Sequence, residues 1–423
     1  MTDPSLAAAL FIQFAIILAA CRALGWVFAR VRQPLVVAEM VAGFLLGPSF
    51  FGALLPSVHA RVFPGESLHS LYVLSQIGLV LYMFSVGLEF RLDLVTQFRR
   101  RAFAVSAAGI AFPFALGGIL ALAMVRSGGF FTAQVRPVHA VLFVGAALSI
   151  TAFPVLARII SERGIAGTTV GSLSLAAGAM DDAAAWVTFA IVLSSFTGNA
   201  ALAFVAAVGA ASYVAVVWLG VRRLLERLAR SAEQDEALSS PVLVTVLCLL
   251  ACGAWFTDAV GIHAVFGAFV LGVSVPRGVL AGQLRRAIEP LTMTLLVPLF
   301  FVYSGLNTRL LLLDSPALWA MTAIVFATAC AGKGFACWGA ARVTGAKPRH
   351  ALAIATLMNA RGMVELILVN LGRERGLITP TLFAMLVLMA IGTTVMTGPI
   401  FSAVWDGETE LGVDSRLIAE HSN

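Results

Sequence analysis

Of the 423 residues, 60% are apolar and only 12% are Asp, Glu, Lys or Arg, against roughly 45 to 50% and about 25% in ordinary soluble domains. With a mean hydropathy of +0.95, that balance excludes a soluble globular protein, a disordered chain, a disulfide-framed secreted module and a soluble catalytic domain on a single anchor. The net charge of +6 does not point to nucleic acid, because the basic residues stand in short runs between apolar stretches, as membrane topology places them.

A bilayer-spanning helix needs about 20 apolar residues, and the chain breaks into such stretches at charged or Pro/Gly-rich joints. In chain order, spans are expected near 6–29, 34–52, 68–89, 102–125, 137–160, 167–194, 200–221, 241–258, 260–276, 289–307, 315–341, 349–371 and 380–404. The reading is an all-α polytopic membrane protein with thirteen transmembrane helices. Its narrowest joint runs from Thr257 to Gly261, where Asp258 alone separates two segments. With the first loop on the cytoplasmic side, 20 of the 28 Lys and Arg residues fall on that side and six on the other, while Lys333 and Arg361 lie within spans. The positive-inside rule then predicts an N-terminus outside and a C-terminus in the cytoplasm, in a cell (inner or plasma) membrane.

Leu18-Ala19-Ala20-Cys21 has the look of a lipoprotein cleavage box, but the preceding residues carry Asp3 and no Lys or Arg, so an uncleaved first helix is expected. Residues 222–240, basic then acidic, read as a cytoplasmic linker helix. Residues 406–423 read as a short cytoplasmic polar tail, with no soluble regulatory domain expected. The five cysteines (Cys21, Cys248, Cys252, Cys330, Cys337) lie in apolar stretches without metal spacing and read as small core residues.

A charged side chain at the bilayer centre costs about 2.5 to 3.5 kcal/mol on insertion scales, so each one needs a reason. Asp181 and Asp182 stand side by side within the sixth span. Neighbours on a helix point about 100° apart, so the two face different partners and do not form an acid pair converging on one water. That disfavours an intramembrane aspartyl protease and favours ion handling. Lys333, one of two lysines in the chain, lies mid-span between Gly332 and Gly334. A buried ammonium is best relieved by a buried carboxylate, and Asp181 is the expected partner.

Two further spans carry helix-breaking signals at their centres. In Ala147-Leu148-Ser149-Ile150-Thr151-Ala152-Phe153-Pro154, Pro154 removes a backbone donor and frees the carbonyl of Ile150. In Met358-Asn359-Ala360-Arg361-Gly362-Met363-Val364-Glu365 an amide, a guanidinium and a carboxylate surround a glycine. Interrupted helices are tolerated in a membrane where protein or water satisfies the freed groups, which in transporters is the ion site near the midplane. Arg361 and Glu365 are four apart, and either neutralise one another or brace the broken helix through the partial charges of its half-helix ends. A third carboxylate, Glu39 in the second span, either lines an entrance funnel or accepts a structural hydrogen bond from Arg32 or a helix N-terminus. His263 reads as a satisfied interface histidine.

The order of these features repeats. An amphipathic span, a broken span and the Asp181-Asp182 span are matched by the Lys333 span, a second broken span and the last span with Gly392-Thr393-Thr394. The intervening helices set the two triplets in opposite orientations, an inverted repeat with the broken helices crossing at the midplane.

At these residues the chain resembles the monovalent cation:proton antiporter superfamily, in the branch of bacterial potassium-efflux type antiporters and plant cation/proton exchangers. The pieces that carry the likeness are Ser149 to Arg158, the Asp181-Asp182 pair, Gly261 to Phe269, Leu299-Phe300-Phe301 with Ser304-Gly305-Leu306, and Met358 to Glu365. The resemblance implies a sodium/proton antiporter-like fold and a homodimer, with a moving core (about 102–194 and 315–404) and a static scaffold (about 6–89 and 200–307). It implies that Asp182 binds the cation or a proton and that Asp181 pairs with Lys333. Asp, in place of the Asn of many plant-type relatives, at position 181 leans toward electrogenic exchange of two protons per cation.

The expected activity is therefore antiport of Na+ or K+ against H+ by alternating access, with no enzymatic step and no cofactor. A desolvated aspartate is costly in its charged form, and either a proton or a cation relieves that cost, so one site exchanges both. Asp182 is the expected carboxylate, with oxygens of Thr151, Ser149 and the freed backbone completing a hard-cation shell. A sodium-coupled symporter of an organic solute on the same architecture and a cation channel are the alternatives.

Overall fold

The computed structural model describes residues 6–30, 33, 35–90, 92–197, 200–232, 238–306 and 313–405. In chain order, α1 (Leu6–Arg30) and α2 (Leu35–Leu46) lead through two short helices, α3 (Phe51–Leu54) and α4 (Pro56–Val62), to α5 (Gly65–Glu89) and the long α6 (Leu92–Ser127). Then come α7 (Pro137–Ser149), α8 (Phe153–Glu162) and α9 (Thr169–Thr197). Helix α10 (Ala200–Val216) passes through a π-helical turn, Val217–Val221, into α11 (Arg222–Ala232), and is followed by α12 (Ser240–Ala259) and α13 (Ala264–Ser274). Helix α14 (Val279–Leu291) passes through a second π-helical turn, Thr292–Leu296, into α15 (Val297–Leu306). The chain continues with α16 (Pro316–Val343), α17 (Pro348–Met358), α18 (Met363–Glu374) and α19 (Pro380–Val404).

Among the described residues, 9 helical segments are long and apolar enough to cross a membrane, and α7 and α13 are shorter apolar helices. The fourth and tenth expected spans start at 102 and 289, yet helix begins at Leu92 and at Val279; beyond the seventh span, which stops at 221, helix continues to Ala232 over part of the expected linker helix. Charge ends an apolar pattern without ending a helix, because one-turn ion pairs satisfy it. Arg222 pairs with Glu226 at 3.1 Å, and Arg285 pairs with both Glu289 and Glu89 at 2.5 Å. Residues 233–237 of the expected linker, the tail 406–423 with Arg416, and Arg32 lie outside the described residues.

The narrow joint at Asp258 is a true helix end. Gly261 (φ 84°) and His263 (φ 117°) both adopt the left-handed region, the N–H of Ile262 donates back to Thr257 O at 2.9 Å, and His263 Nδ1 accepts from Val265 N–H at the start of α13. The histidine is thus a helix cap.

The chain divides into two compact units, one of Met1–Val31, Val37–Leu92 and Trp186–Asp314, the other of Arg32–Val36, Asp93–Ala185 and Ser315–Asn423. The first packs backbone on backbone through glycines. A Cβ on Gly272 of α13 would lie 2.3 Å from Phe84 O of α5, and one on Gly43 of α2 would lie 2.5 Å from Phe301 O of α15. Without a hydrophobic drive between helices in lipid, such close approach is what holds them, and it leaves little room for sliding. Glu39 is buried on α2 in this unit. The cysteine reading needs correction for α12: Cys21 and Cys337 are buried, but Cys248 and Cys252 are exposed. A helix apolar all round does not reveal which face meets protein and which meets lipid.

The second unit holds both interrupted helices. Residues 150–152 separate α7 from α8, and residues 359–362 separate α17 from α18. Pro154, in the first turn of α8, supplies no backbone donor to the carbonyl of Ile150, and Ile150 and Ala152 are extended. Gly362 is needed at the other break because a Cβ there would lie 2.7 Å from Val155 Cγ2 of α8. At one end of the unit the α6–α7 and α18–α19 connections are laced together: Phe131 and Ile378 form an antiparallel bridge, the N–H of Thr379 donates to Phe130 O at 3.0 Å, and the Thr132 hydroxyl donates to Gly376 O at 2.6 Å.

Candidate functional site

The two breaks meet. The N–H of Ala152, in the first, donates to Ala360 O, in the second, at 3.1 Å, and Thr151 Oγ1 lies 3.4 Å from Met358 O. Backbone groups that each helix leaves unsatisfied are therefore partly supplied by the other interrupted chain.

Around this contact the structure gathers the charged residues picked out in the sequence. Lys333 and Arg361 are 0% exposed, Asp181 is 1% and Asp182 6%. Lys333 Nζ, on α16, donates to Asp181 Oδ2 at 2.9 Å and also to Ser149 O at the C-terminal end of α7. The Thr151 hydroxyl donates to the same Asp181 oxygen at 2.6 Å. One carboxylate oxygen thus takes both a charged and a neutral donor, while Asp181 Oδ1 has no hydrogen-bond partner among the described residues. Ser149 takes part through its carbonyl; its hydroxyl turns back to Ala146 O at 2.9 Å.

Asp182 follows on α9, buried and turned about 100° from Asp181. Small residues let that helix come close: a Cβ on Gly178, one turn earlier, would lie 2.5 Å from Leu156 Cδ2 of α8.

Arg361 caps the same half-helix end, that of α7, from the second break. Its Nη1 donates to Ala147 O at 2.8 Å and its Nη2 to Leu148 O at 2.6 Å, with Ile150 O at 3.5 Å. These carbonyls form the negative C-terminal end of α7, where a cation is favourable. Glu365 is only a loose partner, with Oε2 at 3.5 Å from Arg361 Nη1. Of the two readings left open for this pair, bracing of the broken helix describes the stronger contacts. Asn359 Nδ2 donates to Ala355 O at 3.1 Å within its own helix. Pro154 stands in the first turn of α8. Glu39 belongs to the other compact unit.

Sequence reasoning gave no role to Thr394 of α19. Its hydroxyl accepts from Arg361 N–H at 3.1 Å and lies 2.7 Å from Arg361 O, so one side chain serves both polar groups of an unwound residue. The Thr393-Thr394 pair in an apolar span was the available signal.

An all-helical membrane protein with interrupted helices meeting at buried acids and bases is built as a secondary carrier of ions. The chain belongs to the family described as sodium/hydrogen exchanger, transmembrane, whose model matches residues 14–407. It is 39% identical over 393 residues to the Na(+)/H(+) antiporter NhaS4 of Synechocystis, covering 92% of this chain and 95% of that protein. It is 37% identical to cation/H(+) antiporter 20 of Arabidopsis thaliana (94% of this chain, 48% of that one) and 30% identical to K(+)/H(+) antiporter 1 of Saccharomyces cerevisiae (96% and 47%). The chain thus spans about half the length of those plant and yeast relatives. Its fold is similar to that of the sodium proton antiporter MjNhaP1 of Methanocaldococcus jannaschii, with a TM-score of 0.64 at 16% identity, covering 96% of this chain and 99% of that one.

Proposed function

We propose that this chain is a secondary active antiporter that exchanges a monovalent cation, Na+ or K+, for protons. The observation that carries the reading is the charge balance where the two breaks meet. Three carboxylates (Asp181, Asp182, Glu365) stand against two basic side chains (Lys333, Arg361), all buried in the second unit. One negative charge is left over, and a single monovalent cation or proton neutralises it. A site that is neutral when loaded and charged when empty crosses a low-dielectric barrier only when loaded, which is the rule an exchanger must obey.

Asp182 is the carboxylate that carries the exchanged ion, with oxygen ligands from Thr151, Ser149 O and the freed backbone of residues 150–152. The Asp181–Lys333 pair opens and closes as proton and cation trade places; exchange is one for one if Lys333 keeps its proton and electrogenic, two protons per cation, if the opened pair also releases the Lys333 proton. In this account the chain crosses the membrane thirteen times, with inverted repeats, the two discontinuous helices crossing at the midplane, the N-terminus outside and the C-terminus in the cytoplasm. It works as a homodimer in the cell membrane, with the unit holding the breaks moving against the other and Glu39 in an entrance funnel. The glycine-locked packing of the first unit supports a static role for it.

The test is dequenching of a preset pH gradient in proteoliposomes, with sodium, potassium, lithium and rubidium added in turn and the voltage clamped or free. An antiporter dissipates the gradient at carrier rates with at least one of the four. Currents far above carrier turnover, or dissipation with none of them, would contradict the proposal.

A further inference from the structure

At the end of the second unit where α19 stops, the surface is basic, and the exchange account uses none of it. Arg99, Arg100 and Arg101 lie on α6, Arg342 in the last turn of α16, and Lys347 and Arg349 at the start of α17, and all six are exposed. Packing brings them to one face, because α6 and α16 run antiparallel. Cys337 Sγ of α16 lies 3.8 Å from Val105 O of α6. A Cβ on Gly332 would lie 3.5 Å from Pro113 Cα, and one on Gly345, just past the end of α16, would lie 3.8 Å from Arg101 Nη2. Arg342 Nη1 donates to Ala346 O at 2.7 Å. Among the described residues no carboxylate pairs with Arg99, Arg100, Arg101 or Lys347. Like charges gathered on one face repel, so the described fold leaves this face in want of anions.

The chain leaves the described structure beside this face. The ring of Trp405, at the end of α19, lies 5.3 Å from that of His350, the residue after Arg349, and stacks on Phe401 at 6.1 Å. Arg163, at the end of α8, donates to Ser402 Oγ at 2.7 Å. Residues 406–423, which follow, carry Asp406, Glu408, Glu410, Asp414 and Glu420 against the single Arg416. We propose that the basic face is the docking surface for this acidic segment of the same chain. Asp406, Glu408 and Glu410 alternate, so an extended backbone presents all three on one side. From Trp405 to Glu410 such a backbone reaches about 17 Å, close to two helix spacings of about 8 to 10 Å each, enough to cross from α17 over α16 toward α6. Exposed ion pairs are individually weak. A segment tied covalently next to its site nevertheless meets it at an effective concentration in the millimolar range. An anionic lipid headgroup has the charge but not the tether.

The place gives docking a consequence. Helix α16 carries Lys333, and α17 runs into the second break. A segment held across the ends of α6, α16 and α17 ties these helices together without touching the cation's ligands, and its grip loosens as salt shortens the range of the charges.

The chain has two lysines, and Lys333 is buried, so Lys347 is the one exposed lysine for a carbodiimide, which joins an amine to a carboxylate with loss of water. The purified full chain is treated with it in uncharged detergent, and linked peptides are mapped by mass spectrometry. The expected product, at monomer mass, joins Lys347 to Asp406, Glu408, Glu410 or Asp414. It should fall at least several-fold in about 1 M salt, where charges act over about 3 Å, and should form equally in nanodiscs of phosphatidylcholine and of phosphatidylglycerol. A second readout needs no link: a Glu-specific protease should cut after Glu408 and Glu410 at least several-fold faster once Arg100→Gln, Arg101→Gln and Lys347→Gln are combined. These side chains are exposed, so the combined variant should unfold at the same temperature as the unaltered chain. Equal cleavage of the two proteins, or links only between differently isotope-labelled copies, would overturn the proposal. Loss of the link in phosphatidylglycerol would overturn it in favour of lipid headgroups. Neither readout needs transport, so a failure of exchange would count against the antiporter reading alone.

Discussion

At the scale of single residues, the buried ion pairs are held by tertiary contacts that hydropathy alone does not express. Lys333 was legible as a problem: an ammonium in an apolar stretch needs a buried carboxylate. The structure adds that its second acceptor is Ser149 O and that Thr151 donates to the same Asp181 oxygen. Carbonyl directions depend on where the helix stops, so these partners had no signature in residue type. Removing one member of a buried pair strands the other, at about 3 to 5 kcal/mol. Lys333→Met should therefore lower stability by that order in detergent unfolding, and adding Asp181→Asn should recover at least half of the loss. A double variant no more stable than Lys333→Met would show that the pair is not energetically coupled. For Arg361, two short bonds to α7 carbonyls against one long contact to Glu365 predict an unequal pair. Arg361→Gln should destabilise by at least about 2 kcal/mol more than Glu365→Gln, since it uncaps a buried helix end and leaves the carboxylate behind. Equal losses would make the Arg361–Glu365 contact the main function of both residues.

At the scale of elements, both interruptions were legible, each for its own reason. Pro154 lacks the donor that a continuous helix requires, and the polar run about Gly362 places groups in an apolar span that a regular helix does not satisfy. The structure joins the breaks through Ala152 N–H and Ala360 O. What the pattern did not carry was the early start of α6 and α14, because an apolar pattern stops at charges where a helix need not. The fit of the breaks is tight at Gly362, where a Cβ would lie 2.7 Å from Val155. Gly362→Val should cost about 1 to 3 kcal/mol as an overpacked contact, and exchange should fall at least tenfold with expression retained. Combining it with Val155→Ala, which clears the clash, should restore part of both. A Gly362→Val protein with normal stability and exchange would mean that the breaks do not pack as described.

For the whole molecule, composition was enough to read a polytopic helical protein, and the distribution of arginines gave an expected orientation that remains a prediction, whereas the lipid-facing and protein-facing sides of each helix stayed hidden. Cys248 and Cys252 illustrate this, since a uniformly apolar helix offers no pattern to tell the sides apart. Orientation is testable in a cysteine-free background. A cysteine at Arg126 should react with a membrane-impermeant maleimide added outside intact cells, and one at Arg342 only after permeabilisation; the reverse pattern would invert the topology.

The central claim is that Asp182 is the group at which cation and proton compete. The most direct measurement compares the protein with Asp182→Asn, reconstituted in equal amounts and with matched thermal unfolding, by adding Na+ or K+ to liposomes holding a preset proton gradient. The account predicts that the gradient collapses with the unaltered chain and persists with Asp182→Asn; collapse at the same rate in both would contradict it.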